Sequence, residues 1–127
     1  MIVAIGVDLA EVDRIRDALE RAETGARFRD RVFTAGEQAY CERRRRKYES
    51  YAARFAAKEA MMKALGRGWS REVGWTEIEV VREHGGRPMI RVHGKTAAYA
   101  AKLGIRRISL ALTHTAESAL AQVVAED

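Results

Sequence analysis

Two acidic residues and one lysine are the side chains in this sequence best suited to chemistry. Asp8 follows the short apolar run 2–7, and Glu59 lies in an alanine-rich segment, so both carboxylates are expected to be partly buried. Two such carboxylates can bind a hard cation such as Mg²⁺, with waters and phosphate oxygens as its other ligands. Lys63 follows Glu59 by one helical turn and could contact a phosphate bound to that cation.

The same three residues also permit a structural interpretation. Glu59 and Lys63 are four residues apart and can form an ordinary ion pair along a helix. Asp8 can cap the helix that follows it. A similar choice applies to His114, which lies between two threonines. It could contact a phosphate or stack on a base, or it could be a structural histidine. Both interpretations are compatible with the spacing.

The segment 54–66 must position Glu59 and Lys63. It is rich in alanine and unbranched residues and ends at Gly66, which predicts a helix with a left-handed C-terminal cap. A surface helix normally carries one broad polar face. Here most of the circumference is apolar or small, so the helix is expected to be largely buried. Its charged side chains form two pairs at helical spacing, Arg54 with Lys58 and Glu59 with Lys63.

Periodicity predicts the remaining elements and an α+β fold. We expect an antiparallel sheet of about four to five strands packed with helices, in a single domain over residues 1–127. The capping box Thr34–Glu37 begins a helix that continues into the arginine run, and Ser50 is the expected N-cap of the central helix. The predicted strands lie near 2–7, 78–80, 89–92, 108–112 and 120–124, with a turn at Gly85-Gly86. The predicted helices are 11–22, 27–32, 35 onward, 51–65 and 95–103, and 113–117 is a polar loop.

Composition limits the possible partners. The chain has 127 residues, of which 47% are hydrophobic and 32% charged, and its formal net charge is +5. Arginines concentrate in residues 14–31 and 43–47, so an acidic protein, an anionic cofactor or nucleic acid could bind. Only 7% of residues are aromatic and no glycine–aromatic RNA-binding signature is present, which argues against nucleic acid.

The cysteine count and the hydropathy of the sequence indicate in which cellular compartment the protein is expected. Cys41 is the only cysteine, so no intramolecular disulfide is possible and a reducing compartment is favoured. We interpret it as an incidental thiol. The apolar run 2–7 is too short for a signal peptide, and no stretch approaches the roughly 20 apolar residues that cross a bilayer. A cytoplasmic protein without a membrane partner is expected.

Four separated motifs resemble one family. They are Gly6-Val7-Asp8 with Arg14 behind it, Phe33-Thr34-Ala35-Gly36-Glu37, Arg54-Phe55-Ala56-Ala57-Lys58-Glu59-Ala60 followed by Lys63-Ala64-Leu65-Gly66, and Thr113-His114-Thr115 before a closing strand. In order and spacing the sequence resembles holo-(acyl carrier protein) synthase, the small bacterial type of 4′-phosphopantetheinyl transferase. The resemblance covers nearly the whole chain.

The resemblance implies an enzyme and a set of roles. It implies Mg²⁺-dependent transfer of 4′-phosphopantetheine from coenzyme A to a serine of apo acyl carrier protein, in fatty acid biosynthesis. The other product is adenosine 3′,5′-bisphosphate, and the assembly is a homotrimer with sites between subunits. The implied metal ligands are Asp8 and Glu59, and the implied catalytic residues are Glu59 and Lys63. The residues implied to contact coenzyme A are Arg54, Lys63, Gly86, Pro88 and His114. Arg14 and Arg21 are implied to contact the carrier protein.

Two departures from the family pattern and two rival functions remain. Arg67 replaces the threonine of a Gly-Thr-Gly loop, and Ala111 replaces a serine before His114. Neither change touches Asp8, Glu59 or Lys63. One rival is a basic binding module without chemistry, in which the two carboxylates would have no reason to converge. The other is a degenerate relative that keeps only the assembly, against which the intact acidic and lysine motifs argue.

Overall fold

The computed structural model describes residues 1–83 and 85–127. Over these residues five strands and five α-helices are present, which confirms the predicted α+β class. The strands are β1 (Ile2–Glu11), β2 (Ile78–Arg82), β3 (Pro88–Val92), β4 (Arg107–His114) and β5 (Ser118–Glu126). The helices are α1 (Val12–Glu20), α2 (Gly25–Val32), α3 (Ala35–Glu42), α4 (Lys47–Leu65) and α5 (Gly94–Lys102), with a short 3₁₀ turn at Trp75–Glu77.

The strands form two antiparallel sheets, where the sequence predicted one. One sheet has the order β1-β5-β4 and the other is the predicted hairpin β2-β3. The interruption falls between β3 and β4, where a cleft of about 210 Å³ lies between Pro88 on one strand and Ile108 on the other. Helix α4 contacts strands of both sheets, so the two sheets share one helix.

Strand β1 continues past Asp8, contrary to the prediction that it stops there. It pairs with β5 as far as Glu11, and Asp8 lies opposite Ala121. The strand is longer than its apolar run because β5 supplies backbone partners along the whole of it. His114 is likewise the last residue of β4, where a loop was predicted.

Side chains of β1 alternate between two faces, as a pleated strand requires. Gly6 and Ala10 are buried on the face toward α4, and Asp8 points the same way. Val7 and Leu9 point away and are exposed. A methyl group at Gly6 would collide with the carbonyl oxygen of Ala60 in α4. The absence of a side chain there lets α4 lie directly on the strand, close to Asp8.

Helix α4 is largely buried, as predicted, and ends at Gly66 in the left-handed conformation (φ 73°). It starts earlier than predicted, at Lys47, so Ser50 is inside the helix and is not its N-cap. Helix α3 begins at the predicted capping box: the Glu37 amide donates to Thr34 Oγ1 (3.1 Å), and the Thr34 amide donates to Glu37 Oε1 (2.9 Å).

Residues 43–46 form the connection between α3 and α4, and α3 ends before them. The arginines therefore lie beyond the C-terminus of α3, where positive charge is favourable, and ahead of the N-terminus of α4, where it is unfavourable. The prediction that the helix begun at Thr34 continues into the arginine run is wrong, because α3 ends at Glu42. No helix in the described part of the chain is long and apolar enough to span a bilayer.

Candidate functional site

Asp8 and Glu59 face one cleft of about 460 Å³. Strand β1 supplies Asp8 and helix α4 supplies Glu59, and the close approach at Gly6 holds these two elements together. The convergence predicted from the sequence is therefore present. The residues that line the cleft are Asp8, Leu9, Ala10, Glu11, Arg14, Ile15, Ala18, Arg21, Phe28, Phe55 and Glu59.

Lys63 forms its ion pair with Asp8 rather than with Glu59. Its Nζ lies 3.0 Å from Asp8 Oδ1 and donates to the Val7 carbonyl oxygen at 3.0 Å. The structural interpretation of these residues is thus wrong in both parts. Among the described residues Glu59 makes no ion pair with Lys63, and Glu11, not Asp8, occupies the N-cap position of α1.

The electrostatics of the cleft favour a cation. Burial raises the pKa of Glu59, and the nearby Asp8 carboxylate raises it further, while Lys63 and Arg14 act in the opposite direction. A bound cation would relieve the repulsion between the two carboxylates. No cluster of three or more metal-ligating residues occurs in residues 1–83 and 85–127. A two-carboxylate site of this kind suits Mg²⁺, which keeps several water or phosphate ligands.

Basic side chains form a rim along this cleft. Arg14 and Arg21, both predicted to bind a partner, line it from α1 and the residue that follows it, and Phe28 contributes an apolar surface from α2. Two arginines of the stretch 14–31 therefore border the cleft of the two carboxylates.

A second cleft of about 350 Å³ adjoins the first and shares Glu59 with it. Lys63, Trp69 and Trp75 also line it, as does Arg67, which departs from the family pattern. The ring of Trp75 stacks on that of Phe55, with centroids 5.3 Å apart and planes at 20°. Nothing in the local sequence around either tryptophan indicates a nearby carboxylate, so neither was predicted to lie at the site.

Arg54 lies on a different side of α4, toward α3. It is buried, and its guanidinium lies 4.0 Å from the centroid of the Tyr40 ring. Its Nε has no hydrogen-bond partner in the part of the chain that the structure describes. The guanidinium carbon of Arg82 lies 5.6 Å from the centroid of the same ring. This guanidinium also donates to the Gly86 carbonyl oxygen at 3.4 Å. Two residues predicted to contact coenzyme A, Arg54 and Gly86, therefore lie near Tyr40. Pro88 is the first residue of β3 and borders the cleft beside β4.

His114 lies near the other end of α4. Its Nδ1 is 2.8 Å from Glu49 Oε1, and Arg46 Nε is 4.0 Å from the other oxygen of that carboxylate. Ten residues of helix separate Glu49 from Glu59, which is about 15 Å along the axis. Within one chain, therefore, the predicted site residues occupy separate places: the Asp8–Glu59 cleft, the surroundings of Tyr40, and the first turn of α4.

Comparison with known proteins identifies the family. The model of the 4′-phosphopantetheinyl transferase superfamily matches residues 4–121. A holo-[acyl-carrier-protein] synthase of Solibacter usitatus is 52% identical over 127 residues, with both chains covered completely. The synthase structure from Neisseria meningitidis superposes with a TM-score of 0.87 at 30% identity, again over the full length of both chains.

A second solved structure carries a ligand. The holo-(acyl-carrier-protein) synthase of Bacillus anthracis, described in complex with CoA (3′,5′-ADP), matches with a TM-score of 0.78 at 34% identity, over 98% of this chain and 96% of that one. The chain belongs to the 4′-phosphopantetheinyl transferase superfamily and, within it, to the holo-[acyl-carrier-protein] synthase family. The predicted family, fold class and enzyme class are confirmed.

Proposed function

We propose that this chain transfers 4′-phosphopantetheine from coenzyme A to a serine hydroxyl of apo acyl carrier protein in fatty acid biosynthesis, and that it requires Mg²⁺. The observation that carries this proposal is the shared cleft of Asp8 and Glu59, with Lys63 on one side and a basic rim on the other. Family membership supports the same reaction. The products are the holo carrier protein and adenosine 3′,5′-bisphosphate.

The reaction breaks the diphosphate linkage of coenzyme A. The serine oxygen attacks the phosphorus that carries the pantetheine arm, and the bond from that phosphorus to the bridging oxygen breaks, so adenosine 3′,5′-bisphosphate leaves. Asp8 and Glu59 would hold Mg²⁺, which neutralises charge on the phosphate oxygens. Lys63 is about half exposed, so its ammonium can turn from Asp8 toward the leaving phosphate.

Glu59 is the base that accepts the serine proton, either directly or through a water that it orients. Its carboxylate lines the cleft that the docked serine would enter. The nucleophile belongs to the carrier protein, so this chain needs no serine, cysteine or threonine of its own at the site.

Arg14 and Arg21 dock the carrier protein. Both line the same cleft as Glu59, so a protein bound to them presents its serine close to the carboxylates. Carrier proteins of this kind are acidic, and opposite charges steer the two proteins together. The net charge of +5 agrees with an acidic partner.

The adenosine and phosphate groups of coenzyme A contact Arg54, His114 and the hairpin residues Gly86 and Pro88. The guanidinium of Arg54 is buried and has no carboxylate within ion-pair distance among the described residues, so a phosphate could supply the missing charge. Tyr40 gives this group a flat aromatic support.

The chain assembles as a homotrimer with sites between subunits. The outer face of the sheet β1-β5-β4 carries exposed apolar side chains, including Ile5 at 54% and Leu9 at 62%. Leu120 lies opposite Leu9 and is also exposed, so the apolar surface is continuous across two strands. A surface of this kind marks a protein interface. Assembly would also bring His114 of one subunit toward the Asp8–Glu59 cleft of another, which a single chain does not do.

A carrier-protein assay tests the proposed function. The protein is mixed with apo acyl carrier protein, coenzyme A and Mg²⁺, and the mass of the carrier is followed. Wild type should add one phosphopantetheine group, Glu59→Gln should lose nearly all turnover, and the exposed control Glu23→Gln should retain it. Absence of the adduct with any divalent ion would leave the alternative, a basic docking module without chemistry.

A further inference from the structure

Lys58 is the most deeply buried charged side chain of α4, and the reaction above does not use it. It has an exposed fraction of 0%. Its Nζ lies 2.8 Å from Glu37 Oε1 and donates to the backbone carbonyl oxygens of Trp75 (3.0 Å) and Ile78. These acceptors account for all three ammonium protons. Burial lowers the pKa of Lys58, and the Glu37 carboxylate counteracts that effect.

Glu37 connects this lysine to two further elements. Its exposed fraction is 1%. Oε1 also accepts from the Thr34 amide at 2.9 Å, and Oε2 accepts from the Val80 amide at 2.8 Å. One carboxylate thus joins the first turn of α3, the start of the hairpin and the middle of α4.

The position of the pair relates it to the reacting groups. Lys58 holds the carbonyl oxygens at both ends of the 3₁₀ turn, and that turn carries the Trp75 ring stacked on Phe55. Phe55 lines the first cleft and Trp75 lines the second, and Glu59 lines both. Anchoring Lys58 on the side toward the turn also fixes the rotation of α4 about its axis, and so the direction of the adjacent Glu59.

Stability alone does not account for a pair of this kind. Replacing a buried ion pair by apolar residues of similar volume is often neutral or stabilising, whereas removing one partner is costly. We propose that Glu37 and Lys58 are positioning residues, which hold the Trp75–Phe55 stack and Glu59 in the geometry required for transfer. This inference rests on the proposed transferase function.

The decisive variant is the double substitution Glu37→Leu with Lys58→Met, which removes both charges together. The Thr34 and Val80 amides and the Trp75 and Ile78 carbonyls lose their partners, so we expect a lower melting temperature than that of wild type. At temperatures where the variant is folded we expect a kcat at least tenfold lower, because a displacement of about 1 Å at a reacting group can cost about 100-fold. The KM for carrier protein should stay within twofold, since Arg14 and Arg21 are untouched. Lys102→Met, at the exposed end of α5, is the control and should match wild type.

A fluorescence readout makes the proposal testable apart from catalysis. In a Trp69→Phe background Trp75 is the only tryptophan, and the double variant should shift its emission to the red and increase quenching by iodide. A folded double variant with wild-type kcat and wild-type Trp75 emission would overturn the proposal, whatever its melting temperature. If wild type itself proves inactive, the transferase function fails, and unchanged emission would still overturn the positioning role.

A single substitution covers the case in which the double variant does not fold. Glu37→Gln keeps the shape of the side chain but removes the charge opposite Lys58 and places an amide near the Val80 amide. We expect a folded protein with reduced kcat and an unchanged KM for carrier protein. Wild-type kcat in Glu37→Gln would overturn the proposal equally.

Discussion

Glu59 must be ionised to act as a base or as a metal ligand, but its surroundings disfavour the ionised form. Burial and the nearby Asp8 carboxylate both raise its pKa in the folded chain. A carboxyl group whose pKa is raised by folding lowers stability above that pKa. Stability should therefore rise as the pH falls from the raised value toward the ordinary pKa of glutamate, and stay constant below it.

Glu59→Gln should consequently be more stable than wild type at pH 7 in the absence of divalent ions, by a few degrees in melting temperature. Below the ordinary pKa of glutamate the difference should vanish, because both side chains are then neutral. Thermal melts across this pH range measure the effect. A variant that is less stable than wild type at pH 7 would contradict the interpretation.

Mg²⁺ provides a second measurement on the same residue. A ligand at about 100 times its Kd stabilises the folded state by about 2.7 kcal/mol. Wild type should gain melting temperature with MgCl₂, and Glu59→Gln should gain little. Equal shifts in the two proteins would exclude Glu59 from the metal site. Glu23→Gln should respond as wild type does.

Cys41 should be chemically inert in the folded protein. The side chain is fully buried, and burial raises the pKa of its thiol to about 12, although the nearby Arg54 acts in the other direction. Because the thiolate is the reactive form, iodoacetamide at pH 8 should modify native protein at least 100-fold more slowly than unfolded protein. Mass spectrometry after timed quenching gives both rates, and fast native labelling would show that this region opens.

At the scale of elements, α4 and β1 together build the reactive cleft. The sequence predicted the buried helix and its glycine cap, because composition and helical spacing are local properties. The convergence of Asp8 with Glu59 was one of two interpretations that the spacing allowed, and the resemblance to a family favoured it. The partner of Lys63 was predicted wrongly, since the Asp8–Lys63 pair depends on how the helix lies on the strand. The role of Lys58 was missed for the same reason: its acceptors are mainly backbone carbonyls that no residue type indicates.

Gly6→Ala should separate these two elements. The added methyl would collide with backbone atoms of Ala60, so α4 must move away from β1. We expect a stability loss of about 1–3 kcal/mol, as for other overpacked sites. A kcat reduction of about 100-fold should accompany it, as expected for a shift of about 1 Å. The control is Gly36→Ala, whose methyl would lie at an ordinary 3.4 Å from Glu79. Unchanged kcat in Gly6→Ala would show that the close approach is not needed for the site.

At the scale of the whole molecule, the number of sheets was the main error of the sequence-based prediction. Alternating apolar residues predicted each strand, but the same alternation fits one sheet or two. The cleft between β3 and β4 separates the two sheets, and the alternation within either strand does not indicate it.

Ile5→Glu should prevent trimer formation. Ile5 is 54% exposed on the outer face of β1, so a single chain can accept a carboxylate there. Sedimentation should show wild type at the mass of three chains and the variant at the mass of one, with transferase activity reduced at least tenfold. Leu103→Glu, at the end of α5, is the matched control and should remain trimeric. A variant that is monomeric but fully active would show that each site lies within one chain.

The alternation along β1 has a further consequence for how this sequence can change in length. Asp8 lies on the inner face, and its neighbours Val7 and Leu9 lie on the outer face. A slip of one residue reverses every side chain of a strand that slips. Deleting one residue between Met1 and Asp8 would therefore reverse the faces of the side chains that precede the deletion, while the pairing of residues 8–11 with β5 keeps Asp8 in place. Deleting two adjacent residues would leave each preceding side chain on its original face. Length changes in this segment should therefore be tolerated in pairs, and an odd deletion should disturb the apolar outer face and so cost assembly.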